Sequence, residues 1–185
     1  MNLTLSWDLF IIVFFAIVVT YTFIIGKKES VKMIVATYIA IVAVQGIGNL
    51  LQRLTNDTGG TMLNFLGMPT MSLPVLSIIK LVLFITIVIL LTVKAGINVE
   101  YNRENSIVSI AVTALSGVAT AGLLLSALLT YVSNVPLLDM TMPEVSSLSP
   151  ILQQSSLMQI MILNQDLWFS LPAVMLIVAG YVSNE

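Results

Sequence analysis

The stretch FIIGKKESVKMIV, residues 23–35, separates two long apolar runs near the start of the chain. It contains Lys27, Lys28 and Lys32, three of the seven basic residues of the protein, together with Glu29. Charged side chains are costly inside a bilayer, so this stretch marks a link outside the hydrocarbon between two membrane helices. A phosphate site would require a glycine-rich backbone or arginine forks, so we interpret the stretch as a topological anchor.

The composition agrees with that interpretation over the whole chain. Of the 185 residues, 58% are hydrophobic and 9% are charged, and the mean hydropathy is +1.04. Soluble domains carry about 25% charged residues, so this chain cannot cover a globule with solvated side chains. Its net charge of −2 argues against binding to nucleic acid, which requires clustered lysine and arginine. The sequence therefore predicts an integral membrane protein whose main partner is the lipid bilayer.

Residue types that commonly support catalysis are missing from the sequence. Cysteine and histidine are both absent, which removes thiol chemistry, the commonest general base and the commonest transition-metal ligand. The acidic residues are scattered, and no nucleophile motif is present. We therefore expect no enzyme activity, no cofactor and no metal site. The alternative is a soft-metal site built from the methionines of the predicted connections: Met62, Met68, Met71, Met140 and Met142.

The apolar runs predict an all-α, polytopic membrane protein that forms a single domain over residues 1–185. Four runs are long enough to span, and they cover residues 8–26, 31–51, 73–93 and 106–132. A shorter run at 167–182 contains Pro172 and would measure about 24 Å as a helix. It therefore fits either a fifth span or a helix at the membrane interface, and we favour the span.

The region before this last run predicts one further helix. Ser149 is suited to the N-cap position and Pro150 to the first helical position. We therefore predict a helix over about 149–163 that lies on the membrane surface.

The basic residues predict the orientation of the spans. They concentrate in the links that follow the first and third spans, and they are Lys27, Lys28, Lys32, Lys94 and Arg103. The positive-inside rule places these two links in the cytoplasm and the N-terminus outside. The first apolar run has its charges after it, which is the pattern of an uncleaved anchor.

Polar residues within the spans suggest one candidate site. Lys80 lies seven residues into the third run, and an ionisable residue at membrane depth is a functional hypothesis by default. It either snorkels to the outer surface or joins a polar cluster with Asp8, Gln45 and Asn49, which the topology places at a similar depth. In such a cluster, an ion pair between Asp8 and Lys80 would hold helices together or line the mouth of a pathway.

The fourth span has a face of small residues, which suggests close packing. Ser109, Thr113, Gly117 and Ala121 follow one another every four positions. Such faces let two helix backbones approach closely in lipid, so we predict a packing face for a neighbouring helix or subunit.

The layout of the chain resembles that of a known family. Trp7 and Asp8 open the first span, Gly26-Lys27-Lys28 closes it, a short link with Arg103 follows the third span, and the sequence SLSP at 147–150 precedes a helix. These features are similar to the colicin V production protein (CvpA-type) family of small bacterial inner-membrane proteins. The resemblance covers nearly the whole chain.

The resemblance implies a non-enzymatic protein of the bacterial inner membrane, linked to colicin V or toxin production or export and to envelope homeostasis. We expect a scaffold or accessory subunit whose partner is a second copy of the chain or another membrane protein. The alternative is a channel or transporter subunit, in which Asp8, Gln45 and Lys80 would line an oligomeric path.

Overall fold

The computed structural model describes residues 7–57, 73–94, 106–133, 137 and 155–182. The elements in these ranges are all helices, which confirms the predicted all-α class. We number them in chain order as α1 (Trp7–Gly26), α2 (Lys28–Leu51, continuing to Asp57), α3 (Leu73–Lys94), α4 (Ser106–Ser133), α5 (Ser156–Leu163) and α6 (Gln165–Val182).

Four of these helices are long and apolar enough to cross a membrane, which confirms the prediction of a multi-pass membrane protein. Their apolar segments are Trp7–Gly26, Lys28–Leu51, Val75–Lys94 and Ile110–Ser133. The helix α2 is longer than its predicted span, because residues 28–30 form a helical turn instead of a link and the helix continues six residues past Leu51 to Asp57. A single residue, Gly26, makes the turn between α1 and α2.

Gly26 can make this turn because it has no Cβ atom. Its backbone has φ 80° and ψ 177°, a conformation that glycine adopts readily and other residues avoid. The Ser30 hydroxyl donates to the Gly26 carbonyl at 2.9 Å and so satisfies a backbone group at the break. One turn of α2 is further supported by an ion pair between Lys32 and Glu29 at 3.5 Å.

The helix α4 lies at the centre of the bundle. In its apolar segment 72% of the residues are buried, compared with 17% in α1 and 17% in α3. Thr22 near the end of α1 lies against Gly117 in the first half of α4, whereas Ile11 and Leu129 share a cluster at the other end. The helices α1 and α4 are therefore antiparallel.

The helix α3 also runs antiparallel to α4. Phe84, at the middle of α3, packs against Tyr131 near the end of α4, with ring centroids 5.4 Å apart. The link between the two spans contains Glu100, Arg103 and Glu104, which are costly to place inside the bilayer, so the two spans cross it in opposite directions. The start of α1, the start of α3 and the end of α4 consequently lie at one end of the bundle. We call it the Asp8 end, and we call the opposite end the Gly26 end.

The helices α5 and α6 form a bent pair. They meet at Asn164 with an angle of 61° between them, and together they pass as one broken span or a re-entrant loop. The described part of the chain thus has four spans, or five if the bent pair is one. The predicted fifth span at 167–182 falls within α6, which begins two residues earlier at Gln165.

The start of α5 differs from the prediction. Ser155 is the N-cap and the helix begins at Ser156, whereas the predicted cap at Ser149 and first turn at Pro150 lie outside the described residues. The position of this helix on the membrane surface stays a prediction. The apolar side of α5 is buried against α1 and α4, as Met158, at 0% exposure, illustrates.

Candidate functional site

Asp8 lies in the first turn of α1 and binds the start of α5. Its Oδ1 accepts a hydrogen bond from the Ser155 hydroxyl at 2.5 Å and another from the Leu157 backbone N–H at 3.3 Å. The Ser155 oxygen in turn accepts from the Met158 N–H at 3.1 Å. The first N–H groups of a helix have no partner within the helix and attract negative charge. Asp8 and Ser155 therefore cap α5 together.

Apolar packing also holds α5 in the position in which it makes these polar contacts. Met158, Met161 and Ile162 are all buried, and they form a cluster with Ile11 of α1 and Leu125 of α4. The groove between α1 and α4 thus determines the position of α5. The capping hydrogen bonds determine how deeply its first turn enters.

Lys80 of α3 lies against α2 at the same end of the bundle. Its Cδ, Cε and Nζ atoms occupy the space beside Gly48, where any Cβ atom would collide with Cε and would lie 3.3 Å from Nζ. Gly48 is one residue before Asn49 and three residues after Gln45. Asn49 is exposed on α2, and Gln45 is half-buried.

The predicted ion pair between Asp8 and Lys80 is not formed among the residues that the structure describes. Asp8 is engaged by Ser155 and Leu157 on α5, whereas Lys80 lies on α2. The four predicted residues therefore share one end of the bundle, where Asp8 contacts α5 and Lys80 contacts Gly48 of α2. The capping role of Asp8 could not be seen in the sequence, because Ser155 follows it by 147 positions.

The predicted topological anchor occupies the Gly26 end. Lys28 is exposed, Lys32 pairs with Glu29, and Lys94 is exposed at the end of α3, which runs towards the same end. The side chain of Lys27 and the whole of Arg103 lie outside the described residues.

The small-residue face of α4 lies inside the bundle. Thr113, Gly117 and Ala121 are buried, and the side chain of Ser109 lies outside the described residues. A Cβ atom on Gly117 would lie 3.2 Å from both Cβ and Cγ2 of Thr22, so the backbone of α4 approaches α1 closely here.

A second polar contact, which the sequence analysis missed, joins α2 to α6. The Tyr38 hydroxyl donates to the Phe169 carbonyl, and the backbone N–H of Ala173 lies beside the same hydroxyl. Pro172, which is buried inside α6, has no N–H and disturbs the hydrogen bonds of the preceding turn. No signal in the sequence pointed to this contact, because the carbonyl that loses its helical donor to Pro172 is that of Trp168, four residues earlier, and not that of Phe169.

The described residues include no group of three His, Cys, Asp or Glu side chains that could hold a metal ion. The five methionines considered for a soft-metal site lie outside the described residues.

Comparison with known proteins identifies no relative of this chain. No protein-family model, curated protein or solved structure matches the chain.

Proposed function

We propose that the protein is a non-enzymatic scaffold or accessory subunit of the bacterial inner membrane, with its N-terminus outside. In line with the resemblance to the CvpA-type family, we assign it to toxin production or export and to envelope homeostasis. The multi-pass helical fold is compatible with this role.

The observation that carries the proposal is the use of Asp8. An acidic residue at membrane depth is a common component of a proton or ion path. Here its carboxylate is bonded to the first turn of α5 through Ser155 and Leu157. These two hydrogen bonds hold α1 and α5 together, which is a structural use of a group that could otherwise perform transport.

The outer faces of α1 and α3 offer the area for a partner. Both helices expose large apolar side chains along most of their length, including Ile17 and Ile24 on α1 and Val82 and Ile89 on α3. Lipid or the helices of another membrane protein can cover such faces equally well. A second copy of the chain or a different membrane protein would bind there.

A channel or transporter subunit is the second candidate function, and Lys80 favours it. Lys80 is half-buried on the side of α3 that faces the bundle, and no described residue accepts a hydrogen bond from its ammonium group. A cation so placed would influence the passage of an anion if several copies enclosed a path.

One pair of measurements distinguishes the two functions. The tagged protein is purified in mild detergent, and the co-purifying proteins are identified together with their stoichiometry. The same protein is reconstituted in proteoliposomes, where anion flux is measured for the native chain, Lys80→Met and the control Lys94→Met. We expect a stoichiometric partner and no flux. Anion flux that disappears in Lys80→Met but persists in Lys94→Met would contradict the scaffold function and support the channel function.

A further inference from the structure

Lys80 lies on the side of α3 that packs against other helices. Residues four positions apart share one face of a helix, and Leu76 and Phe84, which flank Lys80 at that spacing, are both buried. The lipid side of α3 is marked by Ile78 and Val82, which are exposed. The ammonium group therefore points into the crevice between α2 and α3 and not into hydrocarbon.

Gly48 makes room for the ammonium group in this crevice. Nζ of Lys80 would lie 3.3 Å from a Cβ atom at this position, and Cε would collide with it. Helical side chains lean towards the start of their helix, so the Lys80 side chain leans towards the Asp8 end.

The positive charge of Lys80 is not balanced within the described part of the protein. An ammonium group has three N–H donors, and no described acceptor bonds to this one. Asp8, the acidic residue in the first turn at this end, is bonded to α5. Arg53, further along α2 and exposed, adds a second positive charge. No described residue balances this half-buried charge, so the crevice favours an anion from outside.

We propose that the crevice between α2 and α3 at the Asp8 end binds the headgroup phosphate of an anionic phospholipid, with Lys80 as its main cation. Basic pockets between membrane helices recognise lipid headgroups by this chemistry. Ile47, which is next to Gly48 in α2 and exposed, would contact the acyl chains. Exposed Arg53 would attract the headgroup from the membrane surface.

The test measures lipid retention by the purified full-length protein. The protein is incubated in neutral detergent with equal amounts of phosphatidylglycerol and phosphatidylcholine, and retained lipids are counted by native mass spectrometry. We expect the native chain to prefer phosphatidylglycerol and Lys80→Met to lose this preference by roughly fivefold. Lys80→Arg keeps the charge and should keep the preference. Lys94→Met removes one positive charge from the same helix at the Gly26 end and should leave the preference unchanged.

A second variant tests the crevice without changing the charge. Gly48→Val fills the space of the Lys80 stem, so it should weaken the preference for phosphatidylglycerol although all basic residues remain. Inorganic phosphate is titrated in parallel. If Lys80→Met and Gly48→Val retain phosphatidylglycerol as the native chain does, or if inorganic phosphate competes as well as the lipid, the proposal is wrong. Because retention is measured without partners or flux, its outcome is separate from that of the scaffold proposal.

Discussion

Asp8 links two segments that are far apart in the chain. It lies in the first turn of α1, where its negative charge interacts favourably with the positive end of the helix dipole. It also caps α5 through Ser155 and Leu157. One charged group thus stabilises the starts of two helices at the same end of the bundle. This double use explains why a charged residue is tolerated beside an apolar span.

The cap predicts a graded response to substitution at Asp8. Asp8→Ala removes the acceptor for two donors and should lower the free energy of unfolding by about 1 kcal/mol, whereas Asp8→Asn keeps an oxygen acceptor and should cost less. Amide hydrogen exchange of α5 measures the effect, with faster exchange expected at Leu157. Asp166→Asn, at an exposed acid in the first turn of α6, is the control and should leave α5 unchanged. Equal acceleration by Asp166→Asn would contradict the cap.

Tyr38 should stabilise the contact between α2 and α6. The hydroxyl of Tyr38 bonds to the Phe169 carbonyl, so Tyr38→Phe should cost about 0.6 kcal/mol, the average for polar contacts between membrane helices. Pro172→Ala restores an N–H whose helical partner is the Trp168 carbonyl and not that of Phe169, so Tyr38→Phe should cost about the same in that background. Unfolding in mixed micelles gives the double-mutant cycle. Tyr21→Phe, on an exposed side chain, is the control, and a cost of Tyr38→Phe no larger than that of Tyr21→Phe would refute the contact.

At the scale of the element, the turn between α1 and α2 depends on one backbone conformation. Gly26 has φ 80° and no atom within 4 Å of the position of a Cβ, so a larger residue would meet strain but no collision. Gly26→Ala should therefore destabilise the protein by about 1–3 kcal/mol. Gly46, inside α2, also has no atom within 4 Å and has no positive φ. Gly46→Ala should be neutral or stabilising, because alanine is the better helix former.

Thermal unfolding of both variants in detergent checks this contrast. Similar midpoints for Gly26→Ala and Gly46→Ala would show that the turn does not require glycine. The comparison is well matched, because both substitutions add one methyl group to open space.

The elements differ in how far the sequence could predict them. Long spans were predictable because a chain in lipid must satisfy its backbone within helices, so apolar length alone determines them. The first turn of α2 replaces part of the predicted link, because charged residues outside the hydrocarbon can still continue a helix and lysine is a good helix former. The cap of α5 has a local signal, since a serine at the N-cap accepts from the N–H three residues on, as Ser155 does from Met158. Its bond to Asp8 could not be predicted, because the two residues are 147 positions apart.

At the scale of the whole molecule, α4 is the element around which the others pack. Its glycines allow this, because Gly117 lies against Thr22 of α1 and a Cβ atom on Gly122 would overlap the indole ring of Trp168 in α6. The small-residue pattern in the sequence predicted a packing face. It could not identify the neighbours, because helix order in a bundle depends on contacts between distant segments.

The chemistry at the Asp8 end was predicted in part. The depth of Asp8, Asn49 and Lys80 follows from their positions in the spans, so their shared end was predictable. Their partners were not, because the bent pair α5–α6 enters the bundle and binds Asp8, and Gly48 accommodates Lys80 on α2.

Disulfide cross-linking between α1 and α4 tests the central claim, an antiparallel bundle built around α4, most directly. The chain has no cysteine, so Thr22→Cys with Gly117→Cys introduces a single pair, and its Cβ atoms would lie 3.2 Å apart. Disulfides form at Cβ separations of about 3.5–4.5 Å, which a small adjustment reaches. Thr22→Cys with Leu115→Cys is the control, because Leu115 is 51% exposed. The fold predicts that mild oxidation in native membranes cross-links the first pair and not the second. Cross-linking of the Leu115 pair alone, or of both pairs equally, would contradict it.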